Sequence, residues 1–211
     1  YLAPNPPNVN EPRTKNSMGG HCEVMVKDWG ITREAQDQLA FESHNKAAAA
    51  YDAGFFDDMI TSCNGLARDN NLRADTKVEK LATLGPAFDR KSGKGTLTAG
   101  NSTPLTDGAS AVLLCSEEWA KAHNLPVLAY FTFSATAAVD FVGSSSVKPE
   151  GLLMAPAYAV PKMLKQAGLS LQDFDFYEIH EAFAGQVLCT LKAWEDETYC
   201  REKLGLKKAL G

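Results

Sequence analysis

The sequence predicts an α/β fold, and two observations carry this prediction. In the second half of the 211 residues, short apolar runs alternate with segments of helical character. Such an alternation is typical of β-α-β units around a buried, largely parallel sheet. The first half differs, because helical segments joined by polar loops dominate it. We therefore expect an α-rich part followed by a sheet-containing part.

The composition excludes several functional classes. With 45% hydrophobic residues, the chain can bury a substantial core. Its net charge of -5 argues against nucleic-acid binding, which needs a basic face. No apolar run approaches the roughly 20 residues of a membrane span. The five cysteines are scattered without a C-x-x-C pair, so we expect no disulfide framework, no metal site and a reducing, cytoplasmic location.

Helix signals follow a proline-rich segment, residues 1–17, which indicates an extended arm or loop. The chain starts at a tyrosine rather than a methionine, and we expect it to be part of a longer protein. A first helix is predicted over residues 20–29. Thr32 is a suitable N-cap for a long helix over residues 33–52, and Gly54 is expected to cap its end.

A capping-box pattern at Thr76 and Glu79 predicts a short helix that continues to Leu84. Arg73 precedes this helix. An arginine beside free helix N–H groups suits a phosphate ligand, whereas the alternative is a solvated surface arginine. The glycine-punctuated loop that follows, residues 95–110, suits either close approach of a ligand or tight packing between layers.

The remaining elements alternate in type. The predicted strands are residues 109–114, 127–133 and 174–179. The predicted helices are residues 116–123, 155–167 and 182–194, with Ser116 and Gly168 as caps. His180 and Glu181 therefore lie between the last strand and the last helix, where open α/β sheets bind ligands. The same position also suits a histidine that only caps the helix.

Three stretches together resemble the thiolase family. Residues 96–109 are similar to the T-x-T-A-G-N-x-(S/T)-x-(L/I)-x-D-G-A signature of thiolases, and residues 180–183, His-Glu-Ala-Phe, to their (N/H)-E-A-F motif. Met18-Gly, residues 31–37 and Ser43-His resemble the loop domain of the same family. The likeness runs in order over nearly the whole chain. It is greatest to the branch that contains the acetyl-CoA C-acyltransferases of fatty-acid oxidation.

This resemblance implies a thiolase-like fold. That fold has two mixed five-stranded sheet halves with an inserted α-rich loop domain, here incomplete. Residues 1–92 would form the loop domain, 93–123 the end of the N-terminal half, and 124–211 the start of the C-terminal half.

The resemblance also implies a reaction. Thiolases interconvert a 3-ketoacyl-CoA plus CoA with acetyl-CoA plus a shortened acyl-CoA, through an acyl group carried on a cysteine. Coenzyme A is then a substrate, and no permanently bound cofactor is expected. The expected partners are CoA, acyl-CoA thioesters and further copies of the chain in a homodimer or homotetramer.

The site residues follow from motif position within the family. His180 occupies the position that, with a water molecule, forms the oxyanion hole for the acetyl-CoA thioester oxygen. Glu181 is expected to order the turn. The residues that the resemblance assigns to CoA and acyl binding are Arg73, Thr76, Phe88, Thr103, Leu105, Met154 and Phe183.

Some catalytic motifs of the family do not occur in these 211 residues. Its nucleophilic cysteine precedes a segment of this kind, and its Gly-His-Pro histidine and second catalytic cysteine follow one. We interpret the five cysteines present as buried or incidental thiols and expect no thiolysis from these residues alone. Three hypotheses stay open: the central part of an active thiolase, an inactive CoA- or acyl-CoA-binding segment, and a structural component of an assembly.

Overall fold

The structure is a computed structural model that describes residues 10–144, 146 and 148–211. Residues 1–9 of the predicted arm lie outside this described part. Helices form its regular structure. They are α1 (Met18–Asp28), α2 (Arg33–Asp52), α3 (Val78–Ala82), α4 (Glu117–Ala122), α5 (Ala155–Ala167), α6 (Ala184–Glu195) and α7 (Glu197–Glu202).

Helix α2 begins and ends where local signals place it. The Thr32 hydroxyl accepts a hydrogen bond from the Ala35 N–H at 3.2 Å, which satisfies one of the free donors of the first turn. The helix caps at Ala53, and Gly54 follows with φ of +73°. Glycine adopts this left-handed conformation without the steric penalty of other residues. The prediction for residues 33–52 is confirmed, with the cap one residue before Gly54.

Helix α1 starts two residues earlier than predicted because Ser17 caps it. The Ser17 hydroxyl accepts a hydrogen bond from the Gly20 N–H at 3.1 Å. The buried face of the helix carries Cys22, Met25 and Val26. This face supplies one side of the core of the described chain.

The core forms where α1 packs against α6. Helix α6 carries a glycine, Gly185, at the crossing, and a side chain there would overlap Val26. The missing side chain therefore lets the two backbones approach closely. The buried cluster comprises Cys22, Met25, Val26, Leu97, Met154, Ala157, Phe183, Cys189 and Ala193.

The three segments predicted as strands form no strand among the described residues. Isolated β-bridges are the only sheet-type pairing recorded in the described part of the chain. The apolar side chains of these segments are largely exposed, as for Val112 (83%), Leu128 (91%) and Phe176 (89%). A strand is stabilised by hydrogen bonds to a neighbouring strand, and a local apolar pattern does not supply that neighbour.

The predicted start of α3 is also wrong. Lys77, not Thr76, occupies the N-cap position, and no side chain caps the helix. Thr76 is instead buried, at 7% exposure, and its N–H donates to the Arg73 carbonyl at 3.0 Å. This turn ahead of the helix shifts its start to Val78, and the helix ends at Ala82 rather than Leu84.

The other predicted helices are confirmed with small shifts. Ser116 caps α4, and Gly168 ends α5 in the left-handed conformation. Helix α6 starts at Ala184, two residues later than predicted. No helix of the described residues is both long enough and apolar enough to cross a bilayer.

Candidate functional site

The segment that carries His180 lies between two cavities. His180 and Ala182 line a cavity of about 510 Å³. Glu181 and Ala184 line another cavity, of about 350 Å³. We name them the histidine cavity and the glutamate cavity. Consecutive residues of one short backbone segment therefore line two separate spaces.

The histidine cavity has a mainly apolar lining. Its walls come from the start of α1, the turn before α5, the segment from Glu178 to Phe183, and the inner face of α6. The apolar residues are Met18, Leu152, Leu153, Ala155, Pro156, Val160, Ile179, Ala182, Phe183, Val187 and Trp194. A space of this size and character is typical of small-molecule sites.

His180 is exposed at this cavity and has no hydrogen-bond partner within the part of the chain that the structure describes. Both ring nitrogens are therefore open to a ligand. A neutral imidazole donates through one nitrogen. An N–H donor beside an apolar space can stabilise negative charge that develops on a carbonyl oxygen.

Phe183 and Phe88 form an aromatic pair next to His180. Their rings meet edge to face with centroids 5.7 Å apart. Phe183 is buried at 8% exposure, while Phe88 remains 39% exposed. Phe88 rests on Gly19 of α1, where any side chain would overlap its ring. The absence of a side chain at Gly19 thus allows Phe88 to reach the site.

Met154 is placed differently from the other predicted acyl-site residues. It is fully buried in the core, and it contacts neither space directly. Its neighbours Leu152 and Leu153 line the histidine cavity instead. Met154 supports the wall from behind in this structure.

The glutamate cavity brings α2 next to the His180 segment. The Ser43 hydroxyl donates to a Glu181 carboxylate oxygen at 2.5 Å. His44 lies one residue further along and lines the same cavity. This bond joins residues 138 positions apart in the sequence. The ordering of the turn by Glu181 stays a prediction.

Arg73 lies at the edge of the glutamate cavity, beside His44. Its backbone N–H donates to His44 Nδ1 at 3.3 Å, so this nitrogen acts as the acceptor. The guanidinium Nη1 donates to the Asn70 carbonyl at 2.7 Å, and the side chain is otherwise exposed. Burial and, secondly, the Arg73 charge lower the pKa of His44 from its ordinary value of 6.5.

Thr103 lines the glutamate cavity and contacts a residue of the histidine cavity, whereas Leu105 lines neither cavity. The Thr103 N–H donates to the Ala182 carbonyl at 2.8 Å, and Thr103 lines the glutamate cavity. Leu105 is 96% exposed. The structure therefore gathers His180, Phe183, Phe88 and Thr103 around one segment. Arg73 and Thr76 lie in the loop between α2 and α3.

Two of the five cysteines, Cys22 and Cys189, are held in the thiol form by burial. Cys22, Cys189 and Cys200 are buried, and Cys63 and Cys115 are exposed. Burial raises the pKa of the Cys189 thiol from 9 to about 12, and the pKa of Cys22 is raised for the same reason. Both thiols therefore stay protonated near neutral pH. In the described residues, no group of three or more His, Cys, Asp and Glu side chains is arranged to hold a metal ion.

Sequence analysis does not identify three residues of α6 that line the histidine cavity. They are Gln186, Thr190 and Trp194. Their spacing of four residues places them on one helix face, which is the signal that identifies them in retrospect. The Gln186 amide donates to the Thr190 hydroxyl at 3.0 Å, so this face adds a satisfied polar pair to an otherwise apolar wall.

Comparison with known families gives two matches along the chain. Residues 5–118 match the family model described as thiolase, N-terminal domain. Residues 133–206 match the family model described as thiolase, C-terminal domain.

Curated relatives and solved structures agree with these matches. A 3-ketoacyl-CoA thiolase of Yersinia pestis (strain Pestoides F) is 43% identical over 216 residues, which cover 100% of this chain and 48% of the relative. The crystal structure of human mitochondrial 3-ketoacyl-CoA thiolase in complex with CoA is 32% identical with a TM-score of 0.77, over 88% of this chain and 45% of that one. The crystal structure of the Bacillus anthracis acetyl-CoA acetyltransferase is 35% identical with a TM-score of 0.75, over 94% of this chain and 47% of that one. The chain thus spans about half the length of the proteins it matches.

Proposed function

Because the chain belongs to the thiolase family, we propose that the natural protein carrying these residues is an acyltransferase of the acetyl-CoA C-acyltransferase type. It cleaves a 3-ketoacyl-CoA with CoA to give acetyl-CoA and a shortened acyl-CoA, or catalyses the reverse condensation. The relatives named as 3-ketoacyl-CoA thiolases support this reaction. In this proposal CoA is a substrate, as neighbours crystallised with CoA suggest, and no cofactor is permanently bound.

The observation that carries the proposal is the exposed His180 at the mouth of an apolar cavity. An acyl-CoA thioester places an apolar chain next to a polar carbonyl, and the cavity offers an apolar wall next to a polar donor. His180 would donate to the thioester oxygen as negative charge develops on it. The aromatic pair of Phe183 and Phe88 would keep that region poor in water.

CoA would lie along the side of the site that leads from His180 towards Arg73. Arg73 and Thr76 would hold the nucleotide end, and Thr103, Leu105 and Phe88 the pantetheine. Phe183, with Met154 behind the wall, would shape the acyl pocket. The exposed guanidinium of Arg73 and the position of Thr103 beside Ala182 support this direction.

We further propose the domain division given by the resemblance. Residues 1–92 would be the loop domain, residues 93–123 the end of the N-terminal half, and residues 124–211 the start of the C-terminal half. The end of the first family match at residue 118 and the start of the second at residue 133 support a boundary near residue 123.

Three finer parts of the proposal rest on the family resemblance. They are a role in fatty-acid β-oxidation, a cytoplasmic location, and a homodimeric or homotetrameric assembly. Sedimentation of the natural protein tests the last part, since a single species at two or four times the chain mass is expected.

A second candidate function is CoA or acyl-CoA binding without catalysis. The protonated state of Cys22 and Cys189 favours it for these residues taken alone, because neither thiol can attack a substrate. Iodoacetamide labelling of the natural protein distinguishes the two candidates. Fast labelling of one cysteine outside these residues supports the acyltransferase, and the absence of any fast-reacting thiol supports the binding function.

Replacement of His180 by alanine tests the acyltransferase directly. In the natural protein, His180→Ala should lower kcat for thiolysis by roughly 10²- to 10³-fold with little change in CoA affinity, as for other oxyanion donors. Steady-state kinetics and calorimetric titration with CoA measure the two quantities.

His123→Ala is the matched control, because His123 stacks on Trp119 of α4, with ring centroids 3.9 Å apart, and faces neither cavity. It should leave kcat unchanged. If His180→Ala instead weakens CoA binding and leaves kcat unchanged, His180 has a structural role.

A further inference from the structure

The backbone that follows His180 is held by one loop, residues 101–103. The Thr103 N–H donates to the Ala182 carbonyl at 2.8 Å, and the Ala184 N–H donates to the Asn101 carbonyl at 3.1 Å. Ser102 and Phe183 form the antiparallel bridge between these two bonds. Ala184 is the first residue of α6, which lacks a side-chain cap, so the Asn101 carbonyl satisfies one of its free N–H groups.

The Asn101 side chain fixes this loop from inside the protein. Asn101 is 3% exposed, and its amide nitrogen donates to Asp37 Oδ1 at 2.9 Å and to the Thr96 carbonyl at 3.2 Å. Its amide oxygen accepts from the Thr98 N–H at 2.8 Å. Every polar atom of this side chain is therefore paired, which restricts the loop to one arrangement.

Asp37 connects the amide to helix α2 and beyond. It is 1% exposed, and its second carboxylate oxygen accepts from Arg33 Nε at 2.7 Å. Arg33 Nη2 also donates to the carbonyls of Leu81 and Leu84 at 2.6 Å and 3.0 Å. Charge-assisted bonds of this kind are about twice as strong as neutral ones. The end of α3, helix α2 and the loop are thus joined in a continuous series.

Helix α2 touches the His180 segment a second time through the Ser43 bond to Glu181. Both contacts act on the short backbone segment that follows His180. One acts on Glu181 through its side chain, and the other acts on Ala182 and Ala184 through the Asn101 loop.

We propose that helix α2 positions His180 through Asp37–Asn101 and Ser43–Glu181. Asp37, Asn101 and Ser43 are positioning residues: none faces the histidine cavity, yet together they set where the imidazole enters it. The effect on catalysis rests on the proposed function. The effect on the position of His180 does not.

Asp37→Asn and Ser43→Ala in the natural protein test this proposal. Asp37→Asn keeps the size of the side chain but removes the charge that binds Arg33. Ser43→Ala removes one hydroxyl at a half-buried position and is the milder change. Tyr199→Phe serves as the control for general loss of stability, because it removes a hydrogen bond to Glu150 and neither residue lines the histidine cavity.

Two readouts separate positioning from stability. In the natural protein, the His180 ring signals are assigned by NMR as the histidine signals that disappear in His180→Ala. Both α2 variants should shift the His180 ring signals and lower kcat by roughly 10- to 100-fold, as for misplacement by about 1 Å, with KM for CoA within about twofold. Tyr199→Phe should lower the melting temperature and change neither readout.

The proposal is overturned if both α2 variants leave the His180 signals where they are in the unchanged protein. If the signals shift in a protein that shows no thiolysis, the positioning role stands and the proposed function fails. If Asp37→Asn does not fold, Ser43→Ala alone decides, by the same criterion.

Discussion

At Arg73 the protein itself uses only part of the guanidinium group. Nη1 donates to the carbonyls of Asn70 and, at 3.5 Å, Leu72, which fixes the side chain along its own loop. Nε and Nη2 have no partner in the described part of the chain. A held guanidinium with unused donors suits a phosphate group, because less side-chain entropy is lost on binding.

Arg73→Ala should therefore weaken CoA binding to the natural protein by roughly 1.5–3 kcal/mol, the range for a charged hydrogen bond, or roughly 10- to 150-fold in Kd. Calorimetric titration with CoA measures the loss. Arg201→Ala is the matched control, since Arg201 donates to Glu197 on α7 and to the Lys207 carbonyl beyond it, and lines neither cavity. An unchanged Kd would mean that Arg73 is a solvated surface residue without a role in CoA binding.

The same variant has a second readout at His44. The charge of Arg73 is one cause of the lowered pKa of His44, after burial. Arg73→Ala should move that pKa upward, towards 6.5, in a histidine NMR titration. Because the folded pKa lies below the unfolded one, His44 lowers stability as the pH falls below 6.5. The loss of folding stability at acid pH should therefore be smaller in Arg73→Ala.

At the scale of elements, α5 and α7 are joined through one carboxylate. Glu150 accepts hydrogen bonds from Tyr158 at 2.5 Å and from Tyr199 at 2.8 Å. Burial, then the bond to Glu150, raises the pKa of Tyr158 from 10 to about 12. Burial and its neighbours Tyr158 and Glu150 raise the pKa of Tyr199 further. Both phenols favour the protonated form in the folded state.

A raised folded pKa means that this stabilisation is complete below pH 10 and is lost as the pH rises towards 12 and beyond. The melting temperature of the natural protein should fall in that range. A Tyr158→Phe/Tyr199→Phe variant should have a lower melting temperature at pH 10. Its melting temperature should also depend less on pH above 10, because the two titrating groups are gone. Thermal unfolding followed by circular dichroism at several alkaline pH values measures both. Parallel curves for the two proteins would contradict this account.

The helices show what a local pattern can predict. For α2 and α4, a single side chain at Thr32 or Ser116 satisfies the first turn, and sequence alone identifies it. The Thr76 pattern fails because its backbone is already engaged with Arg73. The bond from Asn101 to Asp37 spans 64 residues, and no local pattern contains it.

His180 illustrates the same difference within the site. Its position between a predicted strand and a helix suggests a ligand, but equally a helix cap. The structure gives α6 the Asn101 carbonyl as a cap and leaves the imidazole exposed at a cavity. Only tertiary contacts separate these alternatives.

At the scale of the whole molecule, the predicted thiolase-like α/β fold class is confirmed by the family matches and the solved structures. The described residues nevertheless contain few paired β residues. The apolar residues of the predicted strands then form a large exposed surface, and such surfaces promote association.

We therefore expect the 211-residue chain, purified by itself, to self-associate and to bind a dye such as ANS that reports exposed apolar surface. Replacing Val112, Leu128 and Phe131 by lysine should reduce both, because the charges oppose pairing. Val24→Lys, on the exposed face of α1 at 53% exposure, is the control and should change neither. Sedimentation over a concentration series measures association, and a stable monomer without dye binding would contradict the expectation.

The packing of α1 on α6 has a consequence for the time course of protein synthesis. The Lys192 ammonium group donates to the Trp29 carbonyl across 163 residues of sequence. At roughly 5–20 residues per second, a ribosome needs roughly 8–30 s to make that interval. During this time Cys22, Met25 and Val26 have no α6 to cover them. The growing chain thus presents an apolar helix face to chaperones well before its own partner exists.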